Sequence, residues 1–222
     1  MFSAHQSVYQ LLTPLCLALS LTACEAPEAT NLSIAAARER DDGTEVTVKG
    51  HVSVAPDTFN SATFEHGFAI AGDSAGIYVT MSEAPPLAPG QQVEVTGVLG
   101  QMAKMRVVTA DVSSVVSSQG VMAVAPAPIA TSDIDEDVEG RLVRVTAPVT
   151  RTFVDDTPYG YKLWVDDGSG EVQIFLHISA GFDAAELMKI AAGQTLAVTG
   201  LAFQYEDTYE IAPRSPDDLV IQ

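Results

Sequence analysis

Apolar and polar residues alternate through much of the chain in short runs, the period-two pattern of strands buried on one face. In the second half Val143, Val145 and Val149 alternate in one run, Tyr161, Leu163 and Val165 in a second, and Val172, Ile174 and Leu176 in a third. Leu196 and Val198 mark a fourth run, and Tyr209 and Ile211 a fifth. Asp167-Gly168-Ser169-Gly170 is a turn signal between the second and third runs. Between the third and fourth, residues 184–192 have helix-forming composition, with Leu187, Met188 and Ala191 at helical spacing.

The same order recurs in the first half. Val46-Thr47-Val48 aligns with Val143-Arg144-Val145, and Phe68-Ala69-Ile70 with Leu163-Trp164-Val165. Asp73-Ser74-Ala75-Gly76 aligns with Asp167-Gly168-Ser169-Gly170, and Gly90-Gln91-Gln92-Val93-Glu94-Val95-Thr96-Gly97 with Gly193-Gln194-Thr195-Leu196-Ala197-Val198-Thr199-Gly200. The stretch 123–128, with Pro126 and Pro128, reads as an extended linker between copies 31–122 and 129–222. In copy one the segment 81–89 is shorter and holds three prolines, so no helix is expected there. Five strands with a helix between the third and fourth is the order of an OB-fold. The pattern therefore predicts an all-β chain of two tandem five-stranded OB-fold-like barrels, the second with a short helix between strands three and four.

Copy two, from Glu139-Gly140-Arg141-Leu142-Val143 through Asp166-Asp167-Gly168-Ser169-Gly170 and Val198-Thr199-Gly200 to Ala212-Pro213-Arg214-Ser215-Pro216-Asp217-Asp218-Leu219, resembles the OB-fold repeats of exported bacterial proteins. Such repeats accompany secreted nucleases and phosphoesterases. The matching residues are turns and strand ends, which specify a fold better than an activity.

The N-terminus points to export. Leu11, Leu12, Leu15, Leu17, Leu19 and Leu21 form an apolar core too short to cross a bilayer, ending in Leu21-Thr22-Ala23-Cys24. This resembles the lipobox of bacterial lipoproteins and implies a signal peptide at 1–23, lipid on Cys24 and a tether at 24–30. The segment before the apolar core departs from the pattern, with His5 and no Lys or Arg, so either the amino terminus supplies the charge or the true start differs. Glu25 rather than Asp after the Cys implies, for a Gram-negative host, the outer membrane. Membrane contact through that lipid is the first expected partner.

Charge narrows the remaining partners. The net charge is −18, with 12 acidic and 5 basic residues in 24–125 and 17 and 6 in 126–222. Both halves repel a phosphate backbone on average, which disfavours nucleic acid. Once Cys16 and Cys24 are set aside no thiol remains, and no His-x-x-x-His pair, nucleophile elbow or phosphate loop appears. No cofactor or metal is expected, and no enzyme. Asp155, Asp156, Asp166 and Asp167 could share a calcium ion or serve only as turn-forming acids. If Leu163, Val165, Val172, Ile174 and Leu176 point inward, then Lys162, Trp164, Gln173, Phe175 and His177 point outward on strands two and three, the face with which OB-folds hold ligands. That face is either a binding site for a sugar, a base or a side chain, or the surface covered by the other barrel. The matching positions in copy one, Ala69, Ala71, Tyr78 and Thr80, are poorer.

Three functions are consistent with these features. The first is a membrane-anchored, non-enzymatic binding or scaffolding lipoprotein of the cell envelope, for an envelope protein or a polysaccharide. The alternative is a single-stranded nucleic-acid-binding module. The third is a metal-dependent hydrolase built on the copy-two carboxylates.

Overall fold

The computed structural model describes Met1 and residues 30–72 and 74–222. The expected signal segment, Cys24 and the tether before Thr30 lie outside the described residues, as does Asp73.

The first sheet contains β1 (Thr30–Leu32), β2 (Glu45–Val54), β3 (Phe68–Ala71), β4 (Gly76–Thr80), β5 (Gln91–Met102), β6 (Met105–Thr109) and β7 (Val115–Val121). Strand β2 runs antiparallel to both β3 and β5, and β4 runs parallel to β6, which closes a five-stranded barrel in the order β2-β3-β4-β6-β5. The second sheet contains β8 (Ala127–Pro128), β9 (Leu142–Asp156), β10 (Gly160–Val165), β11 (Val172–His177), β12 (Thr195–Tyr205), β13 (Thr208–Ala212) and β14 (Leu219–Ile221). It closes in the same way, with β9 against β12 and β11 parallel to β13. The chain is thus all-β, two closed five-stranded barrels of OB-fold order in tandem.

The alternation read from copy two holds in detail. Leu163, Val165, Val172, Ile174, Leu176, Leu196, Val198 and Ile211 all lie in one buried core. Helix α1 (Ile34–Arg38) packs on the first barrel, and α2 (Asn60–Thr63) follows β2. Helix α3 (Ala184–Leu187) lies between β11 and β12 where a helix is expected, capped by Asp183, whose carboxylate accepts from the Ala185 N–H at 2.8 Å. Residues 81–89 contain no helix, in keeping with their prolines.

The structure adds peripheral strands that the pattern does not announce. β1 pairs parallel to β2 and β8 parallel to β9, while β7 and β14 each line one side of the long fourth barrel strand. Two residues of the proline-rich 123–128 stretch, Ala127 and Pro128, are therefore part of the second sheet.

A third apolar cluster joins the barrels. Val54, Ala69, Tyr78, Met105 and Val107 of the first barrel, together with Phe59, pack against Leu201, Phe203 and Ala212 of the second. These are outward positions of each barrel. Gly76 and Gly140 meet across the same boundary: a Cβ on Gly76 would sit 1.8 Å from the Gly140 carbonyl oxygen, so no larger residue fits without moving a barrel.

Candidate functional site

The outward face of the second barrel carries a row of side chains fixed by strand register. Arg151 on β9 lies opposite Trp164 on β10, Trp164 opposite Gln173 on β11, Gln173 opposite Glu210 on β13, and Glu210 opposite Phe203 on β12. The adjoining row places Val154, Lys162 and Phe175 side by side. His177 is one position further along β11.

The five residues expected on this face have different fates. His177 is 1% exposed and Phe175 is 7% exposed. The His177 ring stands 4.5 Å from the Phe59 ring of the first barrel and 4.8 Å from Phe175, so this end of the face is roofed by the inter-barrel contact. Trp164 keeps part of its surface open, with the Arg151 guanidinium 4.1 Å above its ring. Lys162 and Gln173 lie between these ends and are half-buried. The face is thus an interface at one end and open at the other.

Between the barrels, over the middle of this face, is a cleft of about 720 Å³. Its floor includes Lys162, Gln173, Phe175, Phe203 and Glu210, with His177 beneath. One wall comes from the loops at the ends of the second barrel's own strands, with Tyr159 before β10 and Tyr205 at the end of β12. The opposite wall comes from the first barrel, with Ala62, Thr63 and Phe64 at α2 and Met102 and Ala103 at the β5–β6 turn. Phe64 is 73% exposed, Tyr205 60% and Tyr159 41%, so large aromatic area faces solvent around one opening. The Phe64 and Tyr159 rings meet edge to face at 5.8 Å across the two walls. Trp164 does not line the cleft.

Phe64, Tyr159 and Tyr205 escape the sequence reading because they sit in loops or, for Tyr205, at the very end of a strand, where alternation assigns no direction. The available signal was weak: bulky aromatics placed among turn residues, as in Thr157-Pro158-Tyr159-Gly160 and Tyr205-Glu206-Asp207.

The polar groups of the floor are few. The Gln173 side-chain amide donates to Glu210 at 2.5 Å, and Lys162 pairs with Asp156 at 2.8 Å. Burial pushes the Glu210 carboxyl up to about 7, against the pull of the Gln173 hydrogen bond and the Lys162 charge. Burial takes the His177 imidazole down to about 3, the Phe59 backbone acting weakly in the other direction. Neither His177 ring nitrogen has a hydrogen bond of good geometry.

The four aspartates considered for calcium are separated by the length of β10. Asp166 accepts from the N–H groups of Gly168 and Gly170, and Asp167 from Ser169 and Thr131, so both cap the β10–β11 turn. These bonds hold Asp167 at about 2. At the other end of β10, Asp155 accepts from the Thr157 N–H and Asp156 holds Lys162. Among the described residues no three His, Cys, Asp or Glu side chains converge as a metal site.

No protein-family model and no curated protein matches this sequence. The fold resembles solved structures. One is a murine DNA-binding protein bound to double-stranded DNA, 12% identical, TM-score 0.40, covering 79% of this chain and 94% of that one. Another is a HINa domain in complex with 20-base-pair double-stranded DNA, 13% identical, TM-score 0.35, covering 82% and 96%. A third is the single-stranded DNA-binding protein of Thermus aquaticus, 13% identical, TM-score 0.29, covering 82% and 94%. The expectation of an envelope binding or scaffolding module, with nucleic acid disfavoured by charge, is corrected at this point. The matched structures are described as DNA-binding proteins, which accords with the alternative and not with that first reading. The physical reason is that net charge averages over a whole surface, whereas stacking on aromatic rings is local.

Proposed function

We propose that the protein binds single-stranded nucleic acid in the cleft between its barrels, by stacking bases on Phe64, Tyr159 and Tyr205. The observation that carries this reading is the ring of exposed aromatic side chains around one opening on the strand-two and strand-three face. Stacking on an aromatic side chain contributes roughly 1–3 kcal/mol per base. Among the described residues Lys162 is the one Lys or Arg lining the cleft, and it is paired with Asp156. Phosphate contacts therefore supply little, and binding is expected to depend weakly on salt. A duplex suits the cleft poorly, because its bases are already stacked on one another.

The test is fluorescence polarisation of a labelled single-stranded oligonucleotide of mixed sequence at low salt, with Trp164 emission as a label-free second signal from the same face. Tyr159→Ala and Tyr205→Ala should each weaken binding by about tenfold, equivalent to one stacked base. A polarisation that stays flat up to the highest attainable protein concentration refutes the reading. A steep loss of affinity with added salt would mean that backbone charge, not stacking, does the binding.

The lipobox-like residues Leu21-Thr22-Ala23-Cys24 support an exported chain anchored by lipid on Cys24, in the outer membrane if the host is Gram-negative. On that reading Cys24→Ala leaves the chain unlipidated and unprocessed. Segments 31–122 and 129–222 are its two barrel units.

A further inference from the structure

We propose that the floor of the cleft selects among bases, with Glu210 and Gln173 favouring guanine and rejecting thymine. The inference rests on the nucleic-acid reading above and names the base that the site prefers.

The argument is one of donors and acceptors. Glu210 is 4% exposed and lies on the cleft floor. Its Oε2 accepts the Gln173 amide hydrogen at 2.5 Å, while its Oε1 makes no hydrogen bond among the described residues. That bond uses one of the two Gln173 amide hydrogens and fixes the amide, whose carbonyl oxygen has no hydrogen-bond partner among the described residues. Lys162, also on the floor, is turned toward Asp156 at 2.8 Å. Around Glu210 the floor therefore offers a ligand two open acceptors, its own Oε1 and the Gln173 carbonyl oxygen. Neither oxygen is fully sealed from solvent, so a ligand in the cleft can reach both.

Bases differ in how they meet such a floor. Guanine presents two adjacent donors on its Watson–Crick edge, N1–H and the N2 amino group, which match the two oxygens of one carboxylate. A carboxylate has about four acceptor sites, so Oε2 can take a second hydrogen beside that of Gln173. Cytosine and adenine each bring one amino group. Thymine and uracil bring a single N3–H flanked by two carbonyl oxygens, which would face the carboxylate and the Gln173 oxygen acceptor to acceptor. The expected order is guanine first, cytosine and adenine next, thymine last. The ionised carboxylate is the better acceptor, and Glu210 titrates at about 7. The charged and titratable groups nearest it are Lys162 and Asp156, which remain paired, and His177, which burial keeps neutral. The guanine preference should accordingly grow as pH rises through about 7.

The experiment measures affinity for heptanucleotides TTTXTTT with X as each of the four bases, for the intact protein and for Glu210→Gln and Gln173→Met. A bidentate base contact discriminates by about ten- to a hundredfold, the range expected here between guanine and thymine. Glu210→Gln should bring the guanine heptamer to within a few-fold of the thymine one, weakening the first and, through its donating amide, strengthening the second. Gln173→Met should reduce the preference part of the way. Binding of all four heptamers with equal affinity overturns the inference and leaves the stacking reading standing. So does a guanine preference that survives in Glu210→Gln. Failure of every heptamer to bind removes the stacking reading and this inference with it.

Discussion

His177 and Glu210 share the floor of the cleft, and burial displaces their titrations in opposite chemical senses. His177 is neutral in the folded protein down to about 3, below its ordinary value of 6.5. As pH falls below 6.5 the unfolded chain takes up this proton and the folded one does not, so stability is lost over that window at about 1.4 kcal/mol per pH unit. Glu210 stays protonated in the folded state up to about 7, above its ordinary value of 4.5. Its contribution is fully present below 4.5 and is lost as pH rises through 7. Where these windows overlap, from 4.5 to 6.5, the two trends oppose each other, and below 4.5 the His177 loss stands alone. Replacing His177 by Phe, beside Phe59 and Phe175, should remove the acid-side loss. Urea midpoints taken from neutral pH to pH near 4 should therefore diverge between His177→Phe and the parent, the variant gaining relative stability as pH falls. Parallel pH profiles would mean that the imidazole is not held neutral. None of this was legible in the sequence: His177 could be placed on an outward face, but only the Phe59 ring of the other barrel buries it.

At the scale of single elements, β12 organises its barrel. It pairs with β9 and β14 along its first part and with β13 along its second, so it is buried almost throughout. Val198 is 0% exposed on its inward side. Val198→Asp places an unpaired carboxylate in that core and should cost several kcal/mol, most of the stability of a small domain. Thermal melting checks this, and a nearly unchanged midpoint would show that the strand register is displaced by one residue. The barrel strands were readable because each alternates against a packed core. β7 was not, since its residues are exposed along almost its entire length and carry no inward and outward contrast. β8 is two residues long and lies in a proline-rich stretch, too short for any periodicity. Helix α2 holds the first barrel's wall of the cleft with four residues, fewer than a helical repeat needs to show itself.

For the whole molecule the decisive feature is the docking of one barrel on the other. Beyond the apolar contact, Arg38 of α1 reaches Glu139 at 3.0 Å and Glu136 at 3.2 Å, and the Arg106 backbone N–H donates to Glu139 at 2.9 Å. Arg214 donates to the Ser53 carbonyl oxygen at 3.1 Å, and Ser61 to that of Tyr159 at 2.7 Å. The cleft exists only in this arrangement, because its two walls belong to different barrels. Gly76→Ala tests it directly. The added methyl meets backbone rather than a flexible side chain, so the barrels must separate or shift. Overpacking of this kind costs about 1–3 kcal/mol, and the rigid contact places Gly76→Ala toward the upper end. Chemical denaturation should show the loss, and oligonucleotide binding should weaken with it even though Gly76 is not in the cleft. An unchanged midpoint would mean that the two glycines do not meet.

The sequence by itself determined the two five-stranded barrels, their order along the chain, the helix in the second and its absence from residues 81–89 in the first. It also determined which side chains point out from β10 and β11. Each of these follows from a local rule: strand alternation has a period of two residues, turns need particular residues, and proline forbids helix. Tertiary structure alone decided what covers the outward face. It buried Phe175 and His177, left Trp164 under Arg151, and brought Phe64 from the first barrel opposite Tyr159 and Tyr205 of the second. The reason is physical: a side chain's direction is fixed by its neighbours in the chain, but its exposure is fixed by whatever packs against it, and here those partners lie about a hundred residues away in sequence.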